Sequence, residues 1–187
     1  MICNANFQDS TIFTIPGLYG SGPDHWQTIW EKLYGFTRIE QHDWDNPSYS
    51  VWNKSLLKQS GIKQRAFFIA HSLGCHLLLK SFYQLKNAIK GILLVAPPDP
   101  GCNMIKRDIS GFKIKTTFKI TVPGILIYSE NDPYASATYS EEYGQNFGLS
   151  PINIGKCGHI NSDSHLGDWD EGVMILRKLV EQVNNIN

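Results

Sequence analysis

Residues 67–77, FFIAHSLGCHL, decide the fold, because an apolar run leads through a single serine directly into a helical segment. A short, continuously apolar run of this kind is typical of a strand buried on both faces of a parallel sheet. Small residues at Ala70 and Gly74, two positions on either side of Ser72, favour the sharp turn of a nucleophile elbow. Ala70 stands where glycine is usual, and a serine that only caps the helix is the alternative interpretation.

The same alternation of strand and helix recurs along the chain. Further apolar runs lie at residues 11–15, 36–40, 92–96, 125–128 and 152–154, and helical stripes at 26–33, 73–85 and 173–183. Asp24 is the expected N-cap of the first stripe. This order predicts an α/β fold, a doubly wound and mostly parallel sheet of six to seven strands with helices on both faces. Ligands bind such sheets beyond the carboxyl ends of the strands.

Length and charge narrow the function classes. The chain has 187 residues, with 17 Lys and Arg against 17 Asp and Glu, which predicts a single domain over 1–187. Zero net charge argues against a general nucleic-acid binder. No stretch is apolar enough for a membrane span, and no leader segment is visible, so a cytoplasmic protein is expected. The cysteines are then expected to be free thiols; they are Cys3, Cys75, Cys102 and Cys157.

A serine nucleophile requires a base and a group that orients the base. Asp132 follows the run at 125–128, and His159 follows the run at 152–154. In this fold the expected chain order is serine, acid, histidine, and Ser72, Asp132 and His159 have that order. Asp99 also follows a strand, but it lies in a stiff Pro-Pro-Asp-Pro segment. The later aspartates are more typical of residues that begin a helix; they are Asp163, Asp168 and Asp170.

Two other patterns suggest different chemistry and are set aside. Gly17, Gly20 and Gly22 form G-x-x-G-x-G, which is neither the dinucleotide fingerprint nor a P-loop. A metal site would have to be built from residues 71–76, where His71, Cys75 and His76 lie too close together along one helix to converge on an ion. No metal and no cofactor are therefore expected.

Six sequence blocks in order resemble the small α/β-hydrolase family typified by retinoblastoma-binding protein 9 and the bacterial YdeN-type proteins. The resemblance covers nearly the whole chain; its blocks are residues 16–26, 41–47, 70–75, 94–100, 129–135 and 155–161. It implies an α/β-hydrolase fold and a serine-hydrolase triad that falls on Ser72, Asp132 and His159. It does not fix the substrate. The length of the chain leaves no room for a large lid; only residues 97–121 have spare length, enough for a short helix or a partial cover.

These observations together predict a serine hydrolase that cleaves a small-molecule ester, thioester or amide through an acyl-enzyme. An esterase is the first expectation, and an aminopeptidase-like amidase is the nearer alternative. The alternative from another class is a non-catalytic protein-binding module on the same fold. The backbone N–H groups of Leu18 and Leu73 are the expected oxyanion hole. His25, Trp26 and Trp44 are candidate pocket residues, although core packing is the plainer interpretation of the tryptophans at positions 26 and 30.

Overall fold

A computed structural model describes residues 7, 10–60, 65–103 and 108–186. Six parallel strands form one sheet in the order β2-β1-β3-β4-β5-β6. The strands are β1 (Ile12–Ile15), β2 (Thr37–Arg38), β3 (Ala66–His71), β4 (Ile89–Val95), β5 (Gly124–Tyr128) and β6 (Ser150–Asn153). The α/β fold with a parallel sheet is therefore confirmed. After β1 the chain adds β2 on one side, and it then adds β3 on the other side of β1. In sheets of this kind, the carboxyl ends of the two strands at such a switch point form the crevice that binds ligands.

Helices cover both faces of this sheet. They are α1 (Trp26–Tyr34), α2 (Tyr49–Gln59), α3 (Leu73–Lys80), α4 (Phe82–Leu85), α5 (Ala137–Phe147) and α6 (Asp170–Ile186). Successive β3 residues pack into opposite cores: Phe68 and Ala70 lie with residues of α2, α3 and α5, whereas Phe67 and Ile69 lie with α1 and α6. Burial on both faces explains why the strand sequence is apolar throughout.

Two helix boundaries differ from those the sequence predicts. His25, not Asp24, is the N-cap of α1, because the His25 backbone is extended and its Nδ1 accepts the Gln27 N–H at 3.1 Å. The helix expected over residues 73–85 is divided at Ser81 into α3 and α4. The Ser81 hydroxyl there donates to Oδ1 of Asn53 on α2 at 2.7 Å.

The segment expected to have spare length for a short helix or a partial cover, residues 97–121, lies in the connection between β4 and β5. In its described parts, residues 96–103 and 108–123, a single 3-10 turn at Ser110–Phe112 is the only helix. No large lid is built from these residues. Among the described helices, none has the length and apolar character needed to cross a membrane. Cys75, Cys102 and Cys157 are free thiols, and Cys3 lies outside the described residues.

Candidate active site

Ser72 occupies a strained turn between β3 and α3. Its φ of 53° and ψ of −125° lie in a region that costs a non-glycine residue about 1–3 kcal/mol and is typical of functional sites. The Ser72 N–H donates to the Val95 carbonyl at 2.9 Å, which fixes the turn on β4. A Cβ on Gly74 would collide with the Ile15 carbonyl and lie 2.8 Å from that of Pro16. The helix can therefore begin against the end of β1 only because residue 74 is glycine.

The three residues predicted as a triad are joined by hydrogen bonds. Nε2 of His159 accepts the Ser72 hydroxyl at 2.8 Å. Nδ1 of His159 donates to the two carboxylate oxygens of Asp132 at 3.0 and 2.9 Å. Both side chains are well buried, with 9% of His159 and 2% of Asp132 exposed. One Asp132 oxygen also accepts the Tyr134 N–H at 2.9 Å. The serine hydroxyl, a base and an orienting carboxylate thus form one continuous line.

Two polar residues before Asp132 connect the loop that carries Asp132 to the loop that carries His159. Oδ1 of Asn131 accepts the Ser129 hydroxyl at 2.9 Å and the Gly158 N–H at 2.8 Å. The Ser129 hydroxyl oxygen in turn accepts the Cys157 N–H at 2.9 Å. Sequence reasoning missed this role for Ser129 and Asn131, and the only available signal was their position directly beyond β5. These hydrogen bonds hold residues 157 and 158, just before His159, against the loop that carries Asp132.

A cavity of about 500 Å³ opens in front of Ser72. Its wall includes Leu18 and Leu73, whose N–H groups are the candidate oxyanion donors, and His25. The other lining residues are Tyr19, Gly20, His71, Pro98, Ile109, Tyr134, His159, Asn161, Ser162 and Asp163. A Cβ on Gly17 would lie 2.7 Å from Ser72 Cβ and 3.0 Å from Leu73 N. The loop after β1 therefore lies directly against the elbow.

Trp26 and Trp44, which the sequence suggested as pocket residues, are not among the described residues that line this cavity. Trp26 is only 1% exposed, in the core between α1 and α6. Trp44 packs edge-on against Trp52 with ring centroids 5.4 Å apart. Its ring lies beneath Gly20, and its carbonyl accepts the Tyr19 N–H at 3.0 Å. Trp26 is therefore a core residue, and the partly buried Trp44 supports the Gly20 part of the wall from behind.

Two neutral histidines lie beside His159. Burial, together with the charge of Arg38 and the proximity of His159, lowers the pKa of His25 to about 3. Burial also holds the pKa of His71 well below its usual range, with His25 and His159 adding to the effect. His71 is centred 5.0 Å from the His159 ring and 4.7 Å from the His25 ring. Nδ1 of His25 is a hydrogen-bond acceptor, so the proton of the neutral ring is on Nε2.

Among the described residues, the carboxylate bonded to His159 is that of Asp132 and not one of the alternative acids. Oδ1 of Asp99 accepts the N–H of Gly101 within its own turn at 2.8 Å. Asp163 lies within the 3-10 turn at Ser162–Ser164 and Asp170 begins α6, whereas Asp168 lies just before that helix. The described residues contain no group of three or more side chains placed to hold a metal ion.

The parallel sheet, the elbow and the site at the strand ends define an α/β-hydrolase fold. The chain belongs to the serine hydrolase family, which matches residues 12–178. It is similar to the solved structure of a YdeN-like hydrolase from Pectobacterium atrosepticum, at 28% identity with a TM-score of 0.82, over 92% of this chain and 91% of that chain. The ydeN gene product of B. subtilis matches at 16% identity with a TM-score of 0.72, over 92% of this chain and 99% of that one.

A thermophilic esterase from Thermogutta terrifontis has the same fold at 11% identity, with a TM-score of 0.65 over 93% of this chain and 90% of that one. No curated protein sequence matches the chain significantly. The family assignment confirms the predicted resemblance, and the chain is a member of a hydrolase family.

Proposed function

We propose that the protein hydrolyses a small acyl substrate through an acyl-enzyme on Ser72, with His159 as the base and Asp132 as the group that orients it. The observation that carries this proposal is the continuous hydrogen-bond line from the Ser72 hydroxyl through His159 to Asp132. His159 would take the hydroxyl proton as Oγ attacks the acyl carbonyl, and would then give it to the leaving group. Water, activated by His159 in the same way, would release the acid and restore the serine.

The oxyanion of the tetrahedral intermediate would be held by the N–H groups of Leu18 and Leu73. Support comes from their places on the cavity wall on either side of Ser72 and from the close approach of Gly17 to the elbow. Leu73 is the first residue of α3, and an N–H in the first turn of a helix has no partner within that helix. Preorganised donors of this kind are each worth about 100- to 1000-fold in rate.

The cavity favours an uncharged acyl group. Among its described lining residues, Asp163 is the only Asp, Glu, Lys or Arg, and it is exposed at the cavity mouth. The remaining wall combines apolar and aromatic residues, such as Leu18, Pro98 and Tyr134, with polar ones, such as Asn161 and Ser162. Esters of neutral short or aromatic acids are therefore the first substrates to test, and acids with a second carboxylate should be poor substrates because no cation would receive it.

The decisive experiment combines a fluorophosphonate probe with p-nitrophenyl esters and aminoacyl p-nitroanilides. The wild-type protein should be labelled on the peptide that contains Ser72, and Ser72→Ala should lose the label and about six orders of magnitude in kcat. Ser50→Ala, at an exposed serine on α2, is the matched control and should behave as wild type. Failure of the wild-type protein to react with any of these reagents would favour the non-catalytic module. The ratio of ester to anilide turnover separates an esterase from an amidase.

A further inference from the structure

Two ring N–H groups hold successive backbone carbonyls of the loop that contains the base. His71 Nε2 lies 2.9 Å from the His159 carbonyl oxygen, and Trp26 Nε1 donates to the Ile160 carbonyl at 2.8 Å. We propose that this pair, here called the carbonyl clamp, positions the His159 imidazole on the Ser72 hydroxyl. His71 and Trp26 would then be positioning residues for the proposed reaction, on which this inference rests.

The base loop requires such support because it has little regular structure. Residues 154–161 lie between β6 and the 3-10 turn at Ser162–Ser164. Ile160 has a φ of 50°, which is a true outlier for a β-branched residue. Ile160 is also fully buried. A strained conformation persists only where its surroundings impose it, and the Trp26 bond to the Ile160 carbonyl is one such constraint.

The clamp joins the two partners of the proposed proton transfer by a short route. His71 is covalently next to Ser72, so its bond to the His159 carbonyl closes a ring that also contains the bond from Ser72 Oγ to His159 Nε2. Trp26 comes from α1, which follows the loop with the candidate oxyanion donor. The clamp therefore connects the loop after β1 and the elbow to the base loop. The Trp26 and His71 rings also pack edge-on against each other, with their centroids 6.0 Å apart.

The protonation of His71 suits this role. A carbonyl oxygen can only accept, so Nε2 of His71 must carry the proton. The titratable rings that face His71 are His25 and His159. The charged groups next to those two rings are Asp132, which is bonded to His159, and Arg38, which acts on His25. Burial and the two neighbouring rings hold the pKa of His71 well below its usual range, so the ring is neutral. A neutral ring can donate to the carbonyl without opposing the positive charge that His159 would acquire 5.0 Å away.

His71→Leu and His71→Gln provide the main test, because the glutamine amide can still donate to the carbonyl and leucine cannot. His71→Leu should lower kcat about 100-fold, the scale expected for a misplaced catalytic group, with KM changed less than about threefold. His71→Gln should recover most of that loss. Trp26→Phe removes only the second donor and should lower kcat by about tenfold. The control is His76→Leu, since His76 is also a buried histidine whose Nε2 donates to a carbonyl, that of Pro98 at 2.7 Å, and its Nδ1 accepts the Tyr143 hydroxyl, so neither partner belongs to the base loop.

Hydrogen exchange of the peptide that covers residues 154–161 gives a readout independent of turnover. His71→Leu should speed its exchange at least tenfold relative to wild type and His76→Leu, whereas His71→Gln should not. The clamp is refuted if His71→Leu exchanges like wild type, or if both His71 variants lose the same kcat as His76→Leu of equal stability. If exchange responds as expected but Ser72→Ala retains full activity, the proposed function fails and the clamp stands as a structural feature.

Discussion

Mild acid should destabilise this protein because three histidines are buried in the neutral form. The pKa is lowered to about 3 for His25 and to about 4 for His76, and it lies well below the usual range for His71. Burial is the largest cause in each case. At His76 it outweighs the Pro98 carbonyl and the charge of Asp99, both of which act in the opposite direction.

The direction of this pH effect on stability follows from the number of protons that the native and unfolded states bind. An unfolded histidine titrates near pH 6.5, so below that pH the unfolded chain binds protons that the native protein does not. The free energy of unfolding therefore falls as the pH falls, and the stability lost between about pH 7 and 5.5 is about 1.3 kcal/mol for each histidine. The three together predict a loss of about 4 kcal/mol, a large part of the 5–15 kcal/mol typical of a folded protein.

Urea unfolding followed by tryptophan fluorescence, at constant ionic strength and at about pH 7 and 5.5, measures this loss. His76→Gln removes one titrating group and retains an amide that can donate to the Pro98 carbonyl. The variant should therefore lose about one third less stability than wild type between the two pH values. His42→Gln, at an exposed histidine, should leave the pH-dependent loss unchanged. A wild-type loss below about 1 kcal/mol, or an identical loss in His76→Gln, would show that these histidines are not buried neutral.

Three further substitutions test the elbow and the loops around it. Gly74→Ala would force a methyl group into the Ile15 carbonyl, and we expect little folded protein by circular dichroism. Gly17→Ala would place its Cβ 2.7 Å from that of Ser72 and 3.0 Å from the Leu73 N atom, so the loop after β1 must move: kcat should fall at least about 100-fold, as for a displaced oxyanion donor, and the thermal midpoint should fall as well. Asn131→Ala removes two hydrogen bonds from the acid and base loops and should cost about 1–2 kcal/mol in urea unfolding, whereas Asn131→Asp retains the acceptor and should cost less.

The central strands were predictable because the physical cause of each one, burial on both faces, is visible in its own sequence. Residues 66–70 and 92–96 lie between two helical layers, and burial on both faces requires an unbroken apolar run. The edge strand β2 has only two residues, and its sequence signal was correspondingly weak. Strand order along the chain and the positions of the loops that follow were then enough to select Ser72, Asp132 and His159.

Helices α2 and α5 were not predicted, for different reasons. In α2 the apolar contacts do follow helical spacing, since Trp52 and Leu56 are buried one turn apart and Tyr49 is partly buried before them, so the pattern was present and was missed. In α5 the buried residues are Ser140, Gly144 and Phe147, since small residues allow this helix to approach β5 closely: a Cβ on Gly144 would lie 3.6 Å from Leu126. Hydrophobic periodicity cannot detect a helix that packs through serine and glycine.

The polar contacts around the site were beyond sequence reasoning for a different reason. Asn131 meets Gly158, and His71 meets the carbonyl of His159, only after separate loops have come together at the sheet edge. Nothing local to either partner marks such a pair. His71 was considered only as a metal ligand, and Trp26 only as a pocket or core residue, because sequence reasoning judged each residue by its side-chain chemistry and could not see which backbone carbonyl it would face.

The departure of this elbow from the usual glycine pattern has a structural reason. The Ala70 side chain points into the core that α3 covers and is fully buried there, so its methyl group adds apolar contact. The positions that cannot hold a Cβ are Gly74, against the end of β1, and Gly17, against Ser72 itself. The sterically restricted positions therefore lie where the elbow contacts β1 and the loop after it. The same close packing that requires glycine at 17 and 74 therefore holds the loop after β1, which carries Leu18, against the start of α3, which carries Leu73.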